Sequence, residues 1–179
     1  MRKLPTLTTE RLVLRPFLLS DAASVQRLAG SREVADTTLT IPHPYLDGMA
    51  GSWIATHEGA WTRHESATLA ITEAEEGLVG AISLRIELPQ RRAELGYWIG
   101  VPFWGRGYAT EAVRAMLAFG FGRLSLHRIY AYHFVRNPAS GRVMAKAGMQ
   151  LEGTLRGHFY RWGSPEDAAI WGRCADPAV

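Results

Sequence analysis

Apolar and charged residues alternate over Arg11-Leu12-Val13-Leu14-Arg15 before Pro16 closes the run, which is the two-residue period of a strand. A helix is expected next, over residues 21–30. Ser20 is placed to cap it, Val25, Leu28 and Ala29 recur at helical spacing as its buried stripe, and Gly30 suits a left-handed stop. The prolines of Ile41-Pro42-His43-Pro44-Tyr45 bias their predecessors to extended geometry, so this stretch leads to a second helix opened by Asp47, with Ala50, Trp53, Ile54 and His57 on its inner face. Residues 67–72 and 78–85 are rich in apolar side chains and flank Glu73-Ala74-Glu75-Glu76-Gly77, the pattern of an antiparallel hairpin. Residues 93–99 form the next strand. After a glycine-rich loop, Thr110 is expected to cap a helix with Val113, Met116, Leu117 and Phe121 on one side. A strand over 128–135 follows, and Asn137-Pro138 opens a short helix that ends at Gly148. Leu151, Leu155 and Phe159, then Ala168, Ile170 and Trp171, imply two closing strands, while 158–165 shows no clear period. The order is strand, two helices, three strands, helix, strand, helix, two strands. That is an α/β (α+β) arrangement in one domain over 1–179, since no linker or low-complexity tract divides it.

Composition narrows the class. With 47% apolar and 21% charged residues among 179, and aromatic residues spread along the chain, the protein can bury a core, and disordered, coiled-coil and collagen-like readings fail. No apolar run approaches the roughly 20 residues of a membrane span, and the start, Met1-Arg2-Lys3-Leu4-Pro5-Thr6, has no signal-peptide core. Cys174 is the only cysteine, so neither an internal disulfide nor a cysteine metal site forms, and a reducing cytoplasm is the expected location. Residues 1–90 hold 8 basic and 11 acidic side chains and residues 91–179 hold 12 and 6, giving halves of −3 and +6. The basic half suits an anionic, phosphate-bearing ligand or is a solvated arginine-rich surface. Direct nucleic-acid binding is not expected, because no such motif occurs and the longest basic run is Arg91-Arg92.

The candidate chemistry begins at Ile99-Gly100-Val101-Pro102-Phe103-Trp104-Gly105-Arg106-Gly107-Tyr108-Ala109-Thr110. Two glycines one residue apart, between a strand and a helix start, let backbone N–H groups approach an anion closely. The same turn is also compatible with a purely structural role. It is neither a dinucleotide fingerprint, which needs a third glycine where Thr110 stands, nor a P-loop, which needs Gly-Lys-Ser/Thr.

Ala93-Glu94-Leu95-Gly96-Tyr97-Trp98-Ile99, then Trp104-Gly105-Arg106-Gly107-Tyr108-Ala109-Thr110-Glu111-Ala112, Asn137-Pro138-Ala139-Ser140 and Lys146-Ala147-Gly148-Met149 together resemble the GNAT superfamily of acyl-CoA-dependent N-acetyltransferases. The branch they are most similar to is the RimJ/RimL type, the ribosomal-protein N-terminal acetyltransferases. The likeness runs from Thr9-Glu10-Arg11 through Pro42-His43-Pro44-Tyr45 to Gly153-Thr154-Leu155-Arg156 and Asp167. It implies a central mixed, mostly antiparallel sheet of about six to seven strands with helices on both faces. In this fold the strands at 93–99 and 128–135 splay apart, and acetyl-CoA lies between them.

On that resemblance the cofactor contacts are Ile99, Gly100 and Val101 at the strand end, and Gly105, Arg106, Gly107, Tyr108, Ala109 and Thr110 around the pyrophosphate. Asn137 and Ser140 would meet the pantetheine arm and thioester, and Arg142 and Lys146 the adenosine phosphate. Asn137 is equally an N-cap before Pro138, and Arg142 and Lys146 are equally a solvated helix face. Ser140 is the group expected to support the departing thiolate, because the position where many members carry a Tyr general acid holds Met144, which has no proton to give.

Transfer requires a neutral amine. At pH 7 an α-amine of pKa about 8 is about a tenth neutral, far more than a lysine side chain. Glu94 is the expected base, directly or through a water, unless it pairs with Arg91 or Arg92. His43, Tyr45, Glu94 and His158 are the expected acceptor contacts, and no metal is expected because no pair of histidines has ligand spacing. The acceptor implied is a protein N-terminal α-amine, with a small amine such as a polyamine or an antibiotic, or a non-catalytic acyl-CoA-binding module, as alternatives. The acidic N-terminal half would favour a cationic acceptor such as a basic ribosomal N-terminus. A homodimer is left open. Trp53, Trp61 and Trp98 are expected in the core, and Trp104 as an apolar anchor of the loop.

Overall fold

A computed structural model describes residues 3–175, so Met1 and Arg2 of the stretch read for a signal-peptide core lie outside the described residues. The strands are β1 (Leu7–Thr8), β2 (Leu12–Arg15), β3 (Ser66–Glu73), β4 (Gly77–Glu87), β5 (Arg92–Ile99), β6 (Arg128–Phe134), β7 (Gln150–Arg161) and β8 (Ser164–Cys174). The helices are α1 (Ala22–Ala29), α2 (Arg32–Asp36), α3 (Met49–Ala55), α4 (His57–Thr62), α5 (Tyr108–Gly122) and α6 (Pro138–Lys146). All eight strands form one sheet in the order β1-β2-β3-β4-β5-β6-β8-β7. Every neighbouring pair is antiparallel except β5 and β6.

Successive residues of the central strands are buried, as in Ala67 to Ile71 and Leu78 to Ile82, so helices cover both faces there. The long helix α5 lays Val113, Met116 and Leu117 on the sheet. Gly120 lets it come close, since a Cβ there would lie 2.5 Å from Ile129 Cδ1 and 3.1 Å from Leu84 Cδ1. Helix α1 buries Val25, Leu28 and Ala29 as its spacing requires.

Several ends differ from the sequence expectation, each for a local reason. Ser20 does not cap α1, because a 3-10 turn over Leu19–Asp21 precedes it. Asp21 accepts from the Leu18 amide at 2.8 Å and from Arg15 at 2.8 and 2.9 Å instead. Burial raises the Asp21 carboxyl, but Arg15 and the Leu18 amide outweigh it and hold it below the usual range. Gly30 is right-handed, at φ −73°, since the chain runs straight on into α2, which Ser31 caps through Val34 N–H. Glycine is needed at 30 for space, as a Cβ would crowd the Gln26 carbonyl and lie 3.0 Å from Tyr45 Cβ.

Gly48, at φ +81°, rather than Asp47 begins the second expected helix, and that helix breaks into α3 and α4 at Thr56. Its inner face is as expected, with Ala50, Ile54 and His57 buried and Trp53 partly so. Both His57 ring nitrogens are buried without a partner between Phe17 and Trp53, and burial pushes the ring down to about 4, so it stays neutral. The strand count of eight exceeds the expected number by the short β1. The unreadable stretch near 158–165 is the end of a long β7–β8 hairpin, whose period is broken by a bulge between Leu155 and Phe159, where Asp167 accepts the Gly157 amide at 2.7 Å.

Candidate active site

The loop entering α5 is set by two left-handed glycines, Gly105 at φ +77° and Gly107 at φ +83°. Gly107 caps α5, so Thr110 is the third helical residue and not the expected cap. No side chain closes this helix end. The first-turn N–H groups of Tyr108, Ala109 and Thr110 therefore remain as donors, at the positive end of a 15-residue helix. The loop is held from behind by a distant pair. Glu111 accepts from Thr9 Oγ1 at 2.7 Å, from the Arg11 amide at 2.8 Å and from Arg11 Nε at 2.8 Å, while Arg11 Nη1 donates to the Arg106 carbonyl at 2.9 Å. Sequence periodicity carries no sign of this latch, because its partners are 100 residues apart.

β5 and β6 pair only at Arg92–Arg128, Ala93–Ile129 and Glu94–Tyr130, and beyond Glu94 they separate. The gap opens into a cleft of about 970 Å³ lined by β5 from Glu94 to Ile99, by Trp104, Gly105 and residues 107–110, by α6, and by residues 37–42 with Tyr45. Trp104 Nε1 donates to the Ile99 carbonyl at 2.6 Å. Trp104 is thus anchored by a hydrogen bond and stays 47% exposed, which corrects the expectation of apolar anchoring. Trp53 and Trp98 also line the cleft, partly buried.

Asn137, just before α6, and Ser140, Arg142 and Lys146 on it all line the cleft. Asn137 makes no side-chain cap bond, so the capping alternative does not hold. Met144 is 1% exposed in the core and offers nothing to the cleft. Ser140 Oγ lies 2.7 Å from the Tyr97 hydroxyl, a contact the sequence reading did not include.

Glu94 is the only carboxylate among the described residues lining the cleft. Neither Arg91 nor Arg92 takes it: Arg91 donates to the Ser125 carbonyl and Arg92 to Glu87. Its charged neighbour is Arg85, at 3.7 Å on the adjacent strand. Tyr132, Phe134 and Phe159 line the same cleft, as does Tyr45, whose phenol is raised by burial.

Gly100, Val101, Arg106, His43 and His158 are not in the lining. Gly100 packs on Leu28, which a Cβ would meet at 2.8 Å. Arg106 turns to Glu76 at 2.8 Å, His43 lies 3.2 Å from the Gly30 carbonyl, and His158 stacks behind Tyr132 and Phe159. No group of three or more His, Cys, Asp or Glu among the described residues is placed to hold a metal, and no helix among them is long and apolar enough to cross a membrane.

The acetyltransferase (GNAT) domain model matches residues 11–150, most of the chain. The chain belongs to the GNAT acetyltransferase family. An uncharacterized N-acetyltransferase, YoaA of Bacillus subtilis, is 31% identical over 169 residues, 93% of this chain and 95% of that protein. A ribosomal-protein-serine acetyltransferase of Escherichia coli is 31% identical over 57% of this chain and 58% of its own length. A spermidine N(1)-acetyltransferase of Vibrio cholerae is 25% identical over 88% and 89%. Among solved structures, Mycobacterium smegmatis RimJ in complex with CoA-disulfide superposes with a TM-score of 0.86 at 24% identity, over 96% of this chain and 88% of that one.

Members of the GNAT acetyltransferase family use acetyl-CoA, and three features of this cleft bear on how such a donor would be held. The uncapped start of α5 offers backbone donors to a pyrophosphate, Arg142 and Lys146 supply positive charge on the same cleft, and the β5 edge beyond Glu94 lacks a β6 partner for the pantetheine amides to replace.

Proposed function

We propose that this acetyltransferase acts on the free α-amine of a protein or peptide N-terminus. The observation that carries this reading is the single carboxylate, Glu94, in a lining that also holds Arg85, Arg142 and Lys146. A polyamine keeps several positive charges at neutral pH, and one carboxylate beside a guanidinium leaves most of them without a partner. An α-amine carries a single charge and is about a tenth neutral at pH 7, so one weak base suffices.

Acetyl-CoA supplies an activated acetyl group on a thiol that leaves readily. Glu94 takes the acceptor's proton, directly or through a water. Ser140 presents its hydroxyl to the sulfur, and Asn137 at the start of the same helix meets the pantetheine arm. The α5 start and the side chains of Arg142 and Lys146 hold the phosphates. Arg85, largely exposed and tied to Glu94 only by the 3.7 Å contact, meets a peptide carbonyl beside the amine. Asp36 and Glu166 pair with Arg136, and Glu152 with Arg128, which weakens the acidic field that would favour basic residues beside the amine.

The test is a panel of peptides assayed for CoA thiol release, with products located by mass spectrometry. A peptide with a free Ser or Ala α-amine should outperform its N-blocked form, free amino acids and spermidine. Activity confined to spermidine would overturn the acceptor assignment, and equal activity on the blocked peptide would move it to lysine side chains.

A further inference from the structure

The Tyr97 hydroxyl lies 2.7 Å from Ser140 Oγ and 3.2 Å from the Ser140 carbonyl oxygen. The two residues come from opposite sides of the splay, Tyr97 from β5 past its last pairing with β6 and Ser140 from the first turn of α6, and both line the cleft. A serine hydroxyl carries one proton on a free rotor, so what it offers to a third group depends on where its neighbour's proton goes. If Ser140 donates to the phenol, its proton is spent within the pair and the phenol proton goes to the Ser140 carbonyl at 3.2 Å. If the phenol donates to Oγ, the serine proton is left for the cleft.

We propose that Tyr97 is a positioning residue, donating to Ser140 Oγ so that the Ser140 proton is directed at the CoA sulfur as the thioester is cleaved. The proposal rests on the acetyl-CoA site and the Ser140 role given above and adds the group that orients that serine. The transfer balances with no proton crossing the pair. The C–N bond forms from the amine lone pair, the C–S electron pair goes to sulfur, the amine proton goes to Glu94 or a water, and Ser140 and Tyr97 keep theirs.

Two further facts bear on the choice of direction. Burial pushes the Tyr97 phenol up to about 12, so it keeps a proton to donate throughout the working pH range. A hydrogen bond to an ionised acceptor is roughly twice as strong as one between neutral groups, so developing charge on sulfur favours the arrangement that turns the serine proton outward. Met144, buried one turn further along α6, cannot take this part.

The test is the ionisation of CoA bound to the full chain, followed by the ultraviolet absorbance of the thiolate in a Cys174→Ser background, with CoA affinity checked by calorimetry. Tyr97→Phe removes one oxygen and leaves the ring that fills the site. It should raise the bound thiol's pKa by about half to one unit, a threefold to tenfold loss of thiolate. Ser140→Ala should do the same, and the double variant no more than either. The kcat of Tyr97→Phe should fall by a similar factor, with KM for acetyl-CoA unchanged. An unchanged thiol pKa in Tyr97→Phe, or a double-variant shift equal to the sum of the singles, would overturn the proposal. The titration needs no acceptor, so failure of the peptide panel and failure of this dyad are separate results.

Discussion

Glu94 shows how a single side chain acquires a chemical role from its neighbours. Its position at the last β5–β6 pair places it where the sheet opens, and a 3.7 Å contact with the largely exposed Arg85 is too weak a tie to consume it. The carboxylate can therefore accept a proton without first breaking a strong bond. Replacing it by the isosteric amide removes the basicity and leaves the shape. Glu94→Gln should lower kcat by about a hundredfold, most severely toward low pH where the acceptor is an ammonium, while KM for acetyl-CoA stays within about twofold. A pH–rate profile over pH 6–9 is the measurement, and an undiminished rate across it would make Glu94 a structural residue. Ser140 is different in kind: its orientation depends on Tyr97, a residue 43 positions away that no local pattern connects to it.

At the scale of elements, what could be read in the sequence was what is local. The strands near 93–99 and 128–135, the hairpin around 73–77 and the Asn-Pro start of α6 all express a short period or a backbone restriction within a few residues. Helix starts were less legible. Ser20 and Thr110 are good capping types, but whether a cap forms depends on where the turn before it places the first free N–H groups, and here a 3-10 turn and Gly107 move that point. At α5 the shift has a functional consequence, since a helix end without a side-chain cap keeps its donors for a ligand. Gly107→Asp tests this end. The substitution puts a Cβ at φ +83° and a carboxylate beside the anion site, with Arg11 Nη2 3.3 Å from that Cβ. The backbone cost is about 1–2 kcal/mol, or roughly 2–8 °C in Tm for a chain of this size. CoA affinity by calorimetry should fall at least tenfold in protein that is still folded, and unchanged affinity would mean that the pyrophosphate binds elsewhere.

The whole molecule is a sheet in two parts, β1 to β5 and β6 with β8 and β7, joined at only three paired positions and then diverging around the cleft. Something other than the sheet must hold the acceptor wall of one part against the other. Two arginines do so. Arg136, just after β6, bonds the Asp36 carboxylate at 2.7 Å, the Asp36 carbonyl at 2.8 Å and Glu166 at 2.9 Å. Arg161 Nη2 donates to the carbonyls of Ala35 at 2.9 Å and Ile41 at 2.6 Å. Both tie α2 and the 37–41 stretch, which lines the cleft, to the β7–β8 side of the molecule. Because these bonds touch neither α5 nor α6, loosening them should separate acceptor binding from cofactor binding. Arg136→Ala leaves Asp36 and Glu166 as partly exposed carboxylates that water can solvate, so the fold should lose only about 1–2 kcal/mol. The expected result is faster amide hydrogen exchange over residues 32–41 and a KM for the acceptor peptide raised by about tenfold, with CoA affinity unchanged. Equal losses of CoA and acceptor binding would show instead that the clamp supports the cleft as one unit.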